Sequence, residues 1–178
     1  FTLLKYQKID NSYLIKNKNI LNWLNVSRWL KLNDWQIRYF ATKLNWDNIS
    51  QWQKLSEIQI DEFQNQVIWD KICRYQTISS EFIIKHINRM NKTNMKIICQ
   101  WQKLDESFLT KYQFIISWSE VSRHQKLTEE FIKKFYNLVD WTNISKSQIL
   151  SESFIRKWSH LINWQHISSK KELPANII

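Results

Sequence analysis

Tryptophan recurs at a near-constant interval along this chain, at Trp23, Trp46, Trp69, Trp118, Trp141 and Trp164, with Met95 in the one place where the series would fail. The steps are 23, 23, 26, 23, 23 and 23 residues. Self-similarity of this kind restricts the fold to repeat architectures, in which one small unit cannot bury its own apolar face and stacks on its neighbours. Functional chemistry must then lie on ridges that cross repeats, because no single repeat holds enough of it.

With the tryptophan as position zero, position three is always branched (Val26, Ile49, Ile72, Ile98, Val121, Ile144, Ile167) and position four always small (Ser27, Ser50, Cys73, Cys99, Ser122, Ser145, Ser168). Position nine holds Ile9, Leu32, Leu55, Ile78, Leu104, Leu127, Leu150 and Leu173. A second apolar set follows at thirteen, fourteen, seventeen and twenty-one, as in Phe131, Ile132, Phe135 and Val139. Both sets have the i, i+3, i+4, i+7 spacing of one helical face, and neither alternates as a half-buried strand would.

Helix starts are legible as well. Position ten is Asp10, Asn33, Ser56, Ser79, Asp105, Thr128 or Ser151, residues whose side-chain oxygens accept from the free N–H groups of a first turn. Acids often follow at position eleven, where the helix dipole favours them. The residue before position zero is Asn22, Asn45, Asn94, Ser117, Asp140 or Asn163, with Ile68 the exception, which predicts a second set of caps. Each repeat therefore reads as two short helices, of about nine and about ten residues. The three-residue insertion, within Asn91 to Asn94, is expected in the loop before Met95. Glycine is absent and proline occurs once, at Pro174, which disfavours a β fold dependent on glycine turns. The expected fold is all-α, an α-solenoid of about seven stacked 23-residue helical hairpins. It is read as a single array over residues 1–178 with incomplete repeats at 1–22 and 164–178, a segment of a longer chain.

No apolar run approaches the roughly 18 residues of a membrane span, and no signal-peptide pattern opens the sequence. This points to an intracellular rather than a secreted or transmembrane protein. Cys73 and Cys99 share the small-residue column and read as replacements for serine, not as a disulfide or metal pair. Enzyme chemistry finds no support. His86, His124, His160 and His166 form no i, i+4 pair, no Cys or carboxylate cluster has metal-ligand spacing, and a phosphate-cradling loop needs glycine. No catalytic residue, cofactor or metal is expected.

The functional signal lies in charge. Lys and Arg number 26 against 16 Asp and Glu, a net charge of +10. The bases fall in register, at position five (Lys5, Arg28, Arg74, Arg123, Lys146), position eight (Lys8, Lys31, Lys54, Lys103, Lys126) and positions fifteen and sixteen. Between the first two columns lie an aromatic column, Tyr6, Trp29, Trp52, Tyr75, Trp101 and His124, and a glutamine column, Gln7, Gln53, Gln76, Gln102, Gln125 and Gln148. Arg28, Trp29, Trp52, Lys54, Arg74, Tyr75, Trp101, Lys103, Arg123 and Lys126 form the candidate binding ridge. Such a ridge could hold single-stranded nucleic acid, with cations on phosphates, rings on bases and glutamines on base edges. Helical register argues for another role for the glutamines, because position seven shares a face with zero and three and points into the stack. Position six lies at the edge of that face, where its ring can pack beside the next repeat. The zero-position tryptophans are expected in the core.

The pattern W-x-x-I-S-x-x-Q-x-L-S-E-x-F-I, clearest from Trp141 to Ile155, resembles tandem repeats in proteins of large and giant DNA viruses. The resemblance implies a viral protein, in the infected host cytoplasm or the virion, and an array suited to binding, with no catalytic residues to carry over. The favoured expectation is a non-enzymatic scaffold for a protein partner, a host factor or a virion component. The alternatives are a basic, sequence-independent nucleic-acid or genome-coating protein and an array that assembles with itself.

Overall fold

The computed structural model describes residues 9–169, and everything in them that is regular is helical. They divide into two compact units that meet in sequence between Ile78 and Ser79. The first unit contains α1 (Asn11–Lys16), α2 (Trp23–Trp29), α3 (Asp34–Tyr39), α4 (Trp46–Trp52), α5 (Glu57–Glu62) and α6 (Trp69–Tyr75). The second contains α7 (Ser80–Lys85), α8 (Lys92–Trp101), α9 (Glu106–Lys111), α10 (Trp118–His124), α11 (Glu129–Lys134), α12 (Trp141–Ser147), α13 (Glu152–Lys157) and α14 (Trp164–Ser168). In each unit the helices that carry position zero pack in sequence order, α2 on α4 on α6, and α8 on α10 on α12 on α14. Each unit is thus a short α-solenoid of helical hairpins.

The position-ten caps form as their chemistry requires. Asn33, Ser56, Ser79, Asp105, Thr128 and Ser151 each accept from the backbone N–H three residues on, and Asp10 accepts from that of Ser12. Two are reciprocal capping boxes, Asn33 with Gln36 and Ser56 with Gln59. Before position zero, Asn22, Asn45, Asp140 and Asn163 cap, whereas Ser117 and Ile68 make no side-chain cap bond.

Three expectations are corrected. The complete tryptophan-led helices α2, α4, α6, α10 and α12 run seven residues and the second helices six, shorter than expected. The first kind stops because position seven turns extended, as at Gln53 (φ −91°, ψ 147°). The second kind gives way to tight turns, in which Lys43 N–H bonds to Phe40 C=O at 2.8 Å. The insertion forms helix instead of loop. Helix α8 begins at Lys92, capped by Asn91 in a box with Asn94, so Asn94 is its third residue and the extra residues add a turn.

The third correction concerns the tryptophans. Positions three and fourteen form the fully buried aliphatic columns: Val26, Ile49 and Ile72 with Ile37 and Ile60 in the first unit, Ile98, Val121 and Ile144 with Ile83, Leu109 and Ile132 in the second. Trp23, Trp46, Trp69, Trp118 and Trp141 are only half-buried, and Trp164 is exposed. The reason is the indole N–H, which must reach a carbonyl. Trp46 Nε1 donates to Ala41 C=O at 3.0 Å and Trp118 Nε1 to Gln113 C=O at 3.0 Å, each five residues back. The same ring lies on the position-seventeen aromatic of its own repeat, Trp46 on Phe63 at 4.7 Å and Trp118 on Phe135 at 5.1 Å. The tryptophan clamps the turn that enters each repeat, with one face in the core and the other toward solvent.

Candidate binding ridge

The ridge is built at the C-terminal ends of the tryptophan-led helices. Position six is the last helical residue, as in Trp29, Trp52, Tyr75, Trp101 and His124. The chain then runs extended, so side chains alternate: Gln53 in, Lys54 out, Leu55 in. This alternation, rather than helix periodicity, places Lys31, Lys54, Lys103 and Lys126 in solvent. Lys5, Tyr6, Gln7, Lys8 and Leu173 lie outside the described residues.

The glutamine column is consumed internally. Gln53 is 6% exposed, and its Nε2 donates to the carbonyls of Ser27 (2.9 Å) and Leu30 (2.8 Å) while its Oε1 accepts from Leu32 N–H (3.1 Å). All three groups belong to the preceding repeat, where they are the groups left open when α2 ends. Gln76 does the same for Ser50, Gln53 and Leu55, and Gln148 for Ser122, Gln125 and Leu127. Gln125 serves Cys99, Gln102 and Leu104. One amide therefore closes the end of its neighbour's helix, and these side chains are not available to read base edges.

The small column is a second internal device. Ser27 Oγ donates to Trp23 C=O at 2.7 Å and accepts from Asn45 N–H at 2.9 Å, tying one repeat to the next. Ser50 and Ser122 accept likewise from Ile68 and Asp140. Cys73 and Cys99 are buried thiols without a disulfide, and burial pushes their pKa values up to about 12 and about 11. They are protonated and inert at neutral pH, as buried structural cysteines are.

The position-six rings are exposed instead of packed beside the next repeat: Trp29 39%, Trp52 50%, Tyr75 47% and Trp101 51%. In the first unit Arg28 binds them together, its Cζ lying 4.6 Å from the Trp29 ring centre and 5.3 Å from that of Trp52. Arg74 sits 5.4 Å from Tyr75. Each such contact is worth about 0.5–1 kcal/mol at an exposed site, enough to bias the rotamers of both partners. Arg28, Trp29, Trp52, Lys54, Arg74 and Tyr75 therefore share one exposed face of the first unit.

In the second unit Trp101, Lys103, Arg123 and Lys126 are exposed in the same register, but the ladder is interrupted. His124 replaces the ring and its Nε2 lies 3.3 Å from Glu120, which also takes Lys96 at 3.6 Å. Trp101 Nε1 donates to Gln100 Oε1 at 2.9 Å. This Lys96–Glu120–His124 constellation was missed in the sequence because its members come from different columns of two repeats. Its only signal is Glu120 four residues before His124.

Several bases off the ridge are matched. Arg38 pairs with Glu62 of the next repeat at 2.8 Å, Arg156 with Glu152 at 2.7 Å, and Lys71 with Asp47 at 2.6 Å. A groove of about 500 Å³ in the second unit has Glu106, Glu130, Lys111 and Lys134 on its walls, two of each sign. By contrast, Arg28, Lys31 and Lys54 have no carboxylate at ion-pair distance among the described residues. Among those residues no three His, Cys, Asp or Glu side chains gather as a metal site, and no helix is long and apolar enough to cross a membrane. Compared with protein-family models, curated proteins and solved structures, the chain finds no match.

Proposed function

We propose that this chain is a non-catalytic scaffold that binds a protein partner through the position-five, -six and -eight ridge, and that the partner presents carboxylates there. One observation carries the reading: the first unit's ridge sets exposed Trp and Tyr rings beside Arg28, Lys31 and Lys54, which have no carboxylate at ion-pair distance among the described residues, while the glutamines and serines around it are spent on holding repeats together. Trp, Tyr and Arg are the residue types that dominate protein–protein hot spots. Arg28 also covers ring faces of Trp29 and Trp52 on which nucleobases would stack, which favours a protein over a single-stranded nucleic acid. With the resemblance to repeats of large DNA viruses, the partner is a host factor or a virion component.

The test compares poly-glutamate with an oligo-dT strand of similar charge, by fluorescence anisotropy with the full chain across a salt series. Poly-glutamate is expected to bind more tightly than oligo-dT at each salt concentration, both weakening as salt screens the exposed cations, oligo-dT with a log–log slope of about −0.7 per phosphate contact. Replacing Lys31 and Lys54 by Glu is expected to abolish binding and leave the unfolding midpoint nearly unchanged, since exposed charges contribute little to folding. Oligo-dT binding that survives physiological salt and collapses in that variant would move the assignment to nucleic-acid coating.

A further inference from the structure

We infer that one edge of the second unit, formed by the turns after α9, α11 and α13, rests on an anionic membrane surface. Phe114, Ile115, Tyr136 and Leu138 enter the lipid interface, and Lys111, Lys134 and Lys157 lie among the headgroup phosphates. This edge is at the end of each hairpin remote from the ridge, so the inference stands apart from the protein-binding proposal.

The turn itself does not call for apolar residues. In the first unit its tip reads Ala41-Thr42-Lys43 or Gln64-Asn65-Gln66, and it closes by Lys43 N–H to Phe40 C=O and Gln66 N–H to Phe63 C=O, at 2.8 and 2.9 Å. In the second unit the same bond joins Ile115 to Tyr112 and Leu138 to Phe135, at 3.0 and 2.9 Å, but the tips read Gln113-Phe114-Ile115 and Tyr136-Asn137-Leu138. Phe114 is 90% exposed, and Ile115, Tyr136 and Leu138 are 47%, 49% and 39% exposed. The fold is met equally by polar tips, and apolar groups clustered in water mark a contact surface.

The three turns are neighbours. Tyr136 of the second lies 5.5 Å from Trp158 of the third, and Lys111 and Lys134 line one groove between the first two. A tryptophan stands at the base of each, where Trp118, Trp141 and Trp164 donate to the carbonyls of Gln113, Tyr136 and Ser159 at 3.0, 2.8 and 3.1 Å. Trp and Tyr are the residues that gather where lipid meets water, an apolar body with a polar handle.

Charge selects the occupant. Residues 110–116, 133–139 and 156–162 hold five cations and no acid. Lys133 lies 3.5 Å from Glu130 and Arg156 2.7 Å from Glu152, whereas Lys111, Lys134 and Lys157 have no carboxylate at ion-pair distance among the described residues. The Tyr112 and Phe135 rings under Lys111 and Lys134, at 5.4 and 5.1 Å, hold the ammonium groups without neutralising them. Glu106 and Glu130, on the same groove, belong to the first turns of α9 and α11, away from the tips. Lysine stems lie along apolar surface while their heads stay at the headgroups, and the anionic leaflet attracts such clusters. A second copy docked through this edge would set cations against cations.

Co-sedimentation of the full chain with vesicles tests this, comparing pure phosphatidylcholine with a mixture holding about one third phosphatidylserine. The chain should bind the anionic vesicles and not the neutral ones. Phe114→Ser should weaken binding at least about tenfold without moving the unfolding midpoint, and Ile58→Ser, an equally apolar and exposed site in the first unit, should leave it unchanged. A lysine at an anionic surface contributes about fivefold, so Lys111→Gln with Lys134→Gln should weaken binding about 25-fold. Lys31→Gln with Lys54→Gln removes the same charge from the ridge and should cost far less. Equal losses from the two pairs, or equal binding to both vesicles, overturn the inference, since contact then follows net charge or needs no anion. Absence of vesicle binding overturns it too, and self-association in sedimentation velocity that Phe114→Ser disperses would make this edge an interface between copies.

Discussion

Replacing Gln53 by methionine removes three hydrogen bonds while keeping an unbranched side chain of similar length. Nε2 and Oε1 serve Ser27 C=O, Leu30 C=O and Leu32 N–H at 2.9, 2.8 and 3.1 Å, and the site admits almost no solvent. An orphaned buried group costs about 1–3 kcal/mol, so three set an outer range of about 3–9 kcal/mol. Burying the thioether in place of the amide recovers part of this, and local opening admits water to some of the groups. The expected loss is about 3–5 kcal/mol, a large share of the stability of a domain this size. Urea unfolding followed by helical circular dichroism measures it, and amide exchange at Leu32 locates it. Gln66→Met, at an exposed position, serves as the control and should change stability by less than about 0.5 kcal/mol. A loss at Gln53 no greater than the control's, with Leu32 still slow to exchange, would refute the claim that this amide closes the preceding helix.

Further outcomes follow from the other columns. Thr128→Ala removes the bond to Phe131 N–H and should cost about 0.5–2 kcal/mol in the same assay, which a neutral result would contradict. Trp46→Phe keeps a ring on Phe63 but loses the bond to Ala41 C=O, and should cost about 1 kcal/mol or more, whereas Trp46→Ala should cost less than the full-burial value of about 3–5 kcal/mol. Cys73 and Cys99 should resist iodoacetamide in the native state, and stability should fall as pH rises above about 9. Unfolded thiols ionise from their ordinary value of 9.0, while the native thiols, raised to about 12 and about 11, hold their protons. Rapid native-state alkylation at neutral pH would refute their burial. At the other end of the scale, Asp105 is held below the usual carboxylate value by Ser107 and by Phe108 N–H. Its capping contribution is complete above about pH 3.8 and should fade as pH falls further, which Asp105→Asn should abolish.

Local chemistry made most of the fold legible. An N-cap is decided by a few neighbouring residues, so Asn33, Ser56 and Thr128 could be assigned from spacing alone. The inward direction of Gln53 followed from its register with Trp46 and Ile49. What escaped was decided over longer range. The indole N–H of Trp46 bonds to a carbonyl in the preceding turn, which no apolar count anticipates, so the ring sits at the edge of the core. Asn91 and Asn94 have the three-residue spacing of a capping box, but Asn94 also matched the column before position zero, and that cue prevailed. The ridge bases share sequence columns, whereas Lys96, Glu120 and His124 meet only once two repeats are stacked.

The stack also explains why the proposed binding is assigned to positions five, six and eight. Position three fills the core, position four bridges repeats through a hydroxyl, position seven closes a helix, position nine returns to the core and position ten caps. Changing any of these costs stability in the repeat and in its neighbours, so they are poor places to vary a binding specificity. Positions five, six and eight sit between them on the same short stretch, facing solvent at the end of each first helix. A substitution there, Thr77 in place of a lysine or His124 in place of a tryptophan, changes what a rung presents while leaving the internal bonds untouched. If the proposed ridge binds, the array can alter its ligand one repeat at a time, and the departures from its own pattern at Thr77, His124 and Ile149 are where specificity should be sought.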